Sequence, residues 1–116
     1  MTLFEEAAQG QLEAYNARDL EGFLKWYSED IVGIDLDNNT VLFTGKGEMR
    51  PKYAKRFENQ YLHCHLKNRM VLHRTVIDHE EIIWNENKLN NYEAIAIYEV
   101  AEDGLITVVR FTKGKL

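Results

Sequence analysis

The second half of the chain contains four strand-like segments separated by short polar breaks, and this feature restricts the possible folds most. The segments cover residues 62–72, 75–84, 92–101 and 105–112, and they are rich in β-branched and aromatic residues. The breaks are two to seven residues long and contain mainly His, Arg, Asn, Glu, Asp and Gly. Four consecutive strands joined in this way predict an antiparallel meander.

Helical periodicity marks the beginning of the chain. Thr2 and Glu5 fit a capping box, and apolar residues then recur every three or four positions, which predicts a helix from about residue 2 to residue 17. Asp19 can cap a second, short helix whose apolar positions extend to Tyr27. We therefore expect two helices that pack as a corner.

A hairpin and a third helix are predicted between this corner and the meander. Residues 31–36 are rich in β-branched side chains, and a turn cluster separates them from residues 41–43. A helix should follow over about 47–59, with Pro51 best tolerated in its first turn. The predicted fold class is α+β: a curved antiparallel sheet packed on three N-terminal helices, in a single domain over residues 1–116.

Composition and charge argue against several classes of partner. The formal net charge is −5, so no nucleic-acid partner is expected, because phosphate attraction requires a basic surface. Cys64 is the only cysteine and cannot form an internal disulfide. No basic leader precedes an apolar run, and no window approaches the roughly 18 apolar residues of a membrane span. We expect a cytoplasmic protein without a membrane partner.

The order of elements resembles the nuclear-transport-factor-2-like superfamily, also called the SnoaL-like or ketosteroid-isomerase-like cone. The sharpest local match is Asn-Ala-Arg-Asp-Leu-Glu-Gly at 16–22, which looks like the helix corner of ketosteroid isomerases, followed at similar spacing by Ser-Glu-Asp at 28–30. The whole sequence looks closest to uncharacterised bacterial SnoaL-like proteins. The resemblance implies a cystatin-like cone with a central pocket, a small apolar or aromatic metabolite as ligand, and no cofactor.

The same resemblance carries over only part of the isomerase site. Counting without gaps places the family's general-base aspartate on Asp35 and its two supporting tyrosines on Tyr27 and Tyr53. The tyrosine and the protonated acid that hold the enolate oxygen fall at Gln11 and Ala96. One such hydrogen-bond donor commonly stabilises the transition state by on the order of 3 kcal/mol. Because both donors are missing, steroid isomerisation itself is not expected.

Asp35 is the candidate catalytic residue. An acid among apolar neighbours acquires a raised pKa, which suits proton transfer near neutral pH. The alternative is a strand-end aspartate that faces water beside Asp37, with which it shares one face of the strand.

The candidate ligand-binding residues are Gln11, Tyr27, Tyr53, His63 and Tyr98. Tyrosine offers a ring for packing and a hydroxyl for orientation, although aromatic residues at this spacing are also typical of an ordinary core. His63 and His65 share one face of a strand, but the sequence lacks the glutamate and further histidine of a cupin-type site, so no metal is predicted.

Charged residues inside the strand segments must reach water or pair with each other, because unpaired burial is costly. Asp78 and Glu80 share one face of their strand. A row of cross-strand salt bridges with Arg69 and Arg110 is favoured over a polar patch inside the cone.

The predicted function is binding of a small molecule, with isomerisation, dehydration or cyclisation through Asp35 as the candidate chemistry. The alternative is a non-catalytic ligand-binding or dimerisation module. Ile95, Ile97 and Val108 leave an apolar sheet face, which predicts a homodimer through that face.

Overall fold

The computed structural model describes residues 1–87 and 89–115, and these ranges form three helices and six strands. The elements are α1 Leu3–Asn16, α2 Leu20–Leu24, β1 Tyr27–Asp35, β2 Val41–Thr44, α3 Gly45–Arg56, β3 His63–Leu72, β4 Thr75–Ile83, β5 Tyr92–Val100 and β6 Ile106–Lys115. This order confirms the predicted α+β class.

All six strands form one sheet in the order β2-β1-β6-β5-β4-β3. The segment from β3 to β6 is the predicted antiparallel meander. β1 pairs with β2 in an antiparallel hairpin and with β6 in parallel. The last strand therefore lies between the N-terminal hairpin and the rest of the meander.

The two N-terminal helices begin where the sequence predicts. The Thr2 hydroxyl accepts a hydrogen bond from the Glu5 amide at 3.1 Å, and the Asp19 carboxylate accepts one from the Gly22 amide at 3.1 Å. Each cap satisfies a backbone N–H that has no partner inside its helix. None of the helices in the described ranges is long and apolar enough to cross a bilayer.

Two local predictions are wrong. The second helix ends at Leu24, and Tyr27 is the first residue of β1, because the Ile106 amide bonds the Trp26 carbonyl at 2.9 Å and draws the chain into the sheet. Pro51 lies in the interior of α3 and not in its first turn, since that helix begins at Gly45. Proline has no backbone N–H, so the Gly47 carbonyl, four residues earlier, has no donor within the helix. Both residues are exposed, so water can bond this carbonyl instead.

The core lies between the helices and the concave face of the sheet. Its fully buried side chains include Phe23 of α2, Ile31 of β1, Met49 of α3 and Val109 of β6. Every second side chain of β4 points to this face, and these four side chains are buried: Val76, Asp78, Glu80 and Ile82. Two of them, Asp78 and Glu80, are carboxylic acids. The middle of β4 therefore brings two carboxyl groups to the concave face.

Candidate functional site

A cavity of about 590 Å³ lies between the concave face of the sheet and the three helices. This volume is within the usual range of small-molecule sites. Its apolar lining comes from every layer of the fold and includes Leu12, Phe23, Phe43, Ile82 and Phe111. The aromatic rings of this wall contact one another, with ring centres 4.7 Å apart for Phe23 and Tyr53 and 5.0 Å apart for Phe23 and Tyr27.

Gln11 joins two tyrosines in the inner wall of the cavity. Its amide nitrogen donates to the Ala8 carbonyl and to the Tyr98 hydroxyl, both at 3.0 Å, and its amide oxygen accepts from the Tyr27 hydroxyl at 2.8 Å. A carbonyl can only accept, so the Ala8 contact fixes which end of the amide is nitrogen.

This fixed amide sets the direction of the whole chain of hydrogen bonds. Tyr27 uses its proton on Gln11, whereas Tyr98 accepts from Gln11 and keeps its own proton for another acceptor. Burial holds the pKa of the Tyr98 hydroxyl well above its usual value, and the nearby Glu80 carboxyl raises it further. Tyr98 is thus a neutral hydrogen-bond donor beside the cavity.

Glu80 brings a carboxyl group into the same wall. Glu80 is only 7% exposed, and within the described ranges it forms no ion pair. Burial raises its pKa to about 7, and the neighbouring Asp78 raises it as well, whereas the Cys64 thiol lowers it by donating a hydrogen bond. Near neutral pH, Glu80 therefore exchanges between a proton donor and a proton acceptor.

Asp78 lies two residues before Glu80 on the same face of β4, and unlike Glu80 it is paired with a cation. It is completely buried, and Arg69 donates to both of its oxygens, from Nε at 2.7 Å and from Nη2 at 3.0 Å. The third Arg69 nitrogen, Nη1, donates to the side-chain oxygen of Gln9 in α1 at 2.9 Å. Half of the predicted salt-bridge row is present here, and Glu80 is the buried acid of β4 that has no ion pair within the described ranges.

Asp35 and Asp37 also line the cavity: Asp35 is the last residue of β1, and Asp37 lies in the turn that follows it. One oxygen of Asp35 accepts the Asp37 amide at 2.9 Å, and Asp37 accepts from the Thr112 hydroxyl at 2.8 Å. Asp35 is half-buried and Asp37 is exposed, so both mark the outer part of the cavity. The remaining Asp35 oxygen is available to a ligand.

Arg56 is a cation in this lining. Its Nε donates to the Tyr15 hydroxyl at 2.7 Å, its Nη2 donates to the Tyr92 hydroxyl, and its guanidinium lies 4.9 Å from the Trp84 ring centre. Lys52 and Lys113 line the same cavity. Basic side chains of α3 and β6 thus place positive charges at the border of the cavity.

Five of the six residues singled out from the sequence line one cavity: Gln11, Tyr27, Asp35, Tyr53 and Tyr98. Burial raises the pKa of Tyr53 to about 12, so its hydroxyl stays protonated. His63 is not among the lining residues. It is exposed on the outer face of β3, because alternation along the strand turns Cys64 inward instead.

Sequence reasoning did not select Glu80 or Arg56 as site residues. The signal for Glu80 was present, since it alternates with Val76 and Ile82 on one face of β4. Arg56 gave no such signal, because it lies among exposed lysines of α3. Within residues 1–87 and 89–115, no group of three or more His, Cys, Asp or Glu side chains is arranged to hold a metal.

The fold is of the cystatin-like, NTF2-like class. The family model of the SnoaL-like domain matches residues 8–109, so the chain belongs to the SnoaL-like family. No curated protein matches significantly.

Solved structures share the fold at low sequence identity. An uncharacterised cystatin-fold protein from Novosphingobium aromaticivorans superposes with a TM-score of 0.81 at 20% identity, over 97% of this chain and 98% of that one. A SnoaL-like protein of unknown function from Burkholderia thailandensis gives 0.81 at 13% identity, over 98% of both chains. A putative SnoaL-like polyketide cyclase from Shewanella denitrificans gives 0.78 at 11% identity, over 98% of this chain and 92% of that one.

Proposed function

We propose that this protein binds a small apolar or aromatic metabolite in its cavity and catalyses proton transfer on it without a cofactor, as in isomerisation, dehydration or cyclisation. The observation that carries the proposal is Glu80, a buried carboxyl with a pKa of about 7 in the wall of a cavity of ligand size. An acid whose pKa lies near the working pH is suited to general acid–base catalysis. Structural similarity to a putative polyketide cyclase supports the same class of chemistry.

In the proposed step, Asp35 and Glu80 act at two ends of a carbonyl ligand. The Asp35 carboxylate removes a proton from the carbon next to the carbonyl, and the C–H electron pair forms a C=C bond. The carbonyl oxygen takes the proton of Glu80 and accepts a hydrogen bond from Tyr98. Return of one proton to carbon and the other to Glu80 completes the exchange, so atoms and charges balance. Gln11, Tyr27 and Tyr53 orient the donors and the ligand.

The alternative is a non-catalytic ligand-binding module. The observation that favours it is Gln11, whose amide links Tyr27 and Tyr98 but cannot itself transfer a proton. In this case the polar groups of the inner wall serve only to recognise a ligand.

A homodimer through the outer sheet face is part of the proposal. Ile95, Ile97 and Val108 are half-buried on that face, and charged pairs such as Arg110 with Glu99 lie beside them. Apolar centres with charged surroundings are typical of subunit interfaces. Sedimentation equilibrium of the wild type and of Ile97→Glu tests it: we expect a dimer for the wild type and a monomer for the variant.

The catalytic proposal is tested with 2-tetralone, a bicyclic ketone, by following the loss of its α-proton NMR signals in D₂O. We expect exchange faster than in buffer, loss of this acceleration in Asp35→Asn, and a decrease of about 100-fold in Glu80→Leu, since one donor to the oxyanion is removed. The exchange rate should decrease less in Glu80→Gln than in Glu80→Leu, because glutamine keeps a hydrogen-bond donor at this position.

Glu81→Gln is the matched control, because it removes a carboxylate from the next position of β4, on the opposite face. Its exchange rate should equal that of the wild type. If tetralone binds but exchanges at the buffer rate in every variant and in the wild type, the protein is the non-catalytic module instead.

A further inference from the structure

Arg56 is a partly buried cation that has no carboxylate partner within residues 1–87 and 89–115. Two partly buried arginines of the sheet are paired instead, Arg69 of β3 with Asp78 and Arg110 of β6 with Glu99. Among the residues that the structure describes, no carboxylate lies within 4.0 Å of the Arg56 guanidinium, and its hydrogen bonds go to two tyrosine hydroxyls. A partly buried charge without a counter-charge in contact is costly, so an anion that binds beside Arg56 would be stabilised.

The guanidinium is fixed in orientation. Hydrogen bonds to Tyr15 and Tyr92 use its Nε and one hydrogen of Nη2, and the plane packs on Trp84. Within the described ranges, Nη1 has no hydrogen-bond acceptor. An immobilised fork with an open edge matches the two oxygens of a carboxylate and loses little entropy when it binds one.

The surroundings of Arg56 connect this fork to the cavity. Arg56, Tyr92 and Lys113 line both the main cavity and a smaller recess of about 220 Å³. The Lys113 ammonium lies 5.5 Å from the Tyr92 ring centre, so a second positive charge borders the same place. A ligand in the cavity can therefore reach Arg56 without leaving it.

The two aspartates of the cavity do not neutralise this cation. Asp35 accepts from the Asp37 amide, and Asp37 accepts from Thr112, so both have partners of their own. We propose that Arg56, assisted by Lys113, is a carboxylate subsite, and that the ligand is an aromatic carboxylic acid whose ring system occupies the apolar cavity. The assignment rests on the proposed function, because it names the class of ligand for the same cavity.

The test compares 2-naphthoate with 2-naphthamide, which have the same ring system and differ in charge. Isothermal titration calorimetry of the wild type should show naphthoate binding at least about tenfold more tightly than the amide, since a charge-assisted hydrogen bond contributes more than a neutral one. Arg56→Met should lose this preference, and Arg56→Lys should keep part of it. Arg50→Met is the matched control, because it removes the same charge from an exposed position of α3.

The outcomes separate the subsite from the cavity. Equal affinity of the two probes for the wild type would overturn the carboxylate subsite and keep a binding cavity. No binding of either probe at millimolar concentration would overturn both. The comparison within the wild type needs no variant, so the result stands even if Arg56→Met, which also loses contacts to Tyr15 and Tyr92, fails to fold.

Discussion

Arg69 holds both carboxylate oxygens of Asp78, while Glu80, two residues further along the same face of β4, has no cation partner in the described part of the chain. These two buried acids of β4 therefore differ in whether a cation pairs with them. One is a neutralised structural pair and the other is a buried group that titrates near neutral pH. This difference leads to separate predictions for stability and for chemistry.

Arg69→Met should destabilise the protein by about 3–5 kcal/mol, because it leaves the Asp78 carboxylate buried without a partner. Urea denaturation at pH 7 measures the effect. Arg74→Met is the control, since Arg74 pairs with Glu102 at the exposed β3–β4 turn, and its loss should cost less than about 1 kcal/mol. An equally small effect at Arg69 would contradict the structural role assigned to this pair.

Glu80 should make stability depend on pH in a defined direction. Below its unfolded pKa of 4.5, the group is protonated in both states. As pH rises from there to the folded value of about 7, only the unfolded chain releases the proton, so the wild type loses stability. The loss, relative to Glu80→Gln, should reach on the order of 3 kcal/mol above pH 7. Denaturation of both proteins at pH 5 and pH 8 measures it; a constant difference between them would contradict the raised pKa.

Proton exchange on 2-tetralone should decrease as pH rises through about 7, because the proposed step uses the protonated form of Glu80. Uncatalysed exchange promoted by hydroxide increases with pH, so the two are easily distinguished. A rate that rises through this range would assign Glu80 the role of base and leave Asp35 without a catalytic function.

The two tyrosines bonded to Gln11 should respond differently to loss of the hydroxyl. Tyr98→Phe removes the donor that faces the ligand and should lower the exchange rate about 100-fold. Tyr27→Phe leaves the Gln11 oxygen without its donor and should cost about 1–3 kcal/mol of stability. Exchange kinetics and urea denaturation of both variants check this; equal effects in both assays would contradict the assigned hydrogen-bond direction.

Gly47→Ala and Gly10→Ala should have effects of opposite sign. A Cβ at Gly47 meets no atom within 4 Å, so alanine should stabilise α3 by up to about 1 kcal/mol. A Cβ at Gly10 of α1 would lie 2.2 Å from the Trp26 ring, and displacing this ring should cost about 1–3 kcal/mol. Melting temperatures of the two variants provide the measurement.

Local patterns in the sequence predict the elements well and the site only in part. Caps such as Thr2 and the alternation of β4 depend on neighbouring residues, so they are visible in the sequence. The local spacing assigns Tyr27 to a helix, because its contact with β6 is remote in sequence and does not show in that spacing. Whether Glu80 pairs with a cation or faces a cavity depends on which side chain from β3 reaches Asp78, and spacing alone does not decide this.

The position of β6 in the middle of the sheet has a consequence for synthesis of the protein. Since β6 pairs with both β1 and β5, the N-terminal hairpin cannot join the meander until the final ten-residue strand has left the ribosome. Every pairing between the two halves of the sheet spans most of the chain, which favours slow folding. A nascent chain stalled before Ile106 would carry all the candidate acids and tyrosines but would lack Phe111, Thr112 and Lys113, which complete the lining of the cavity.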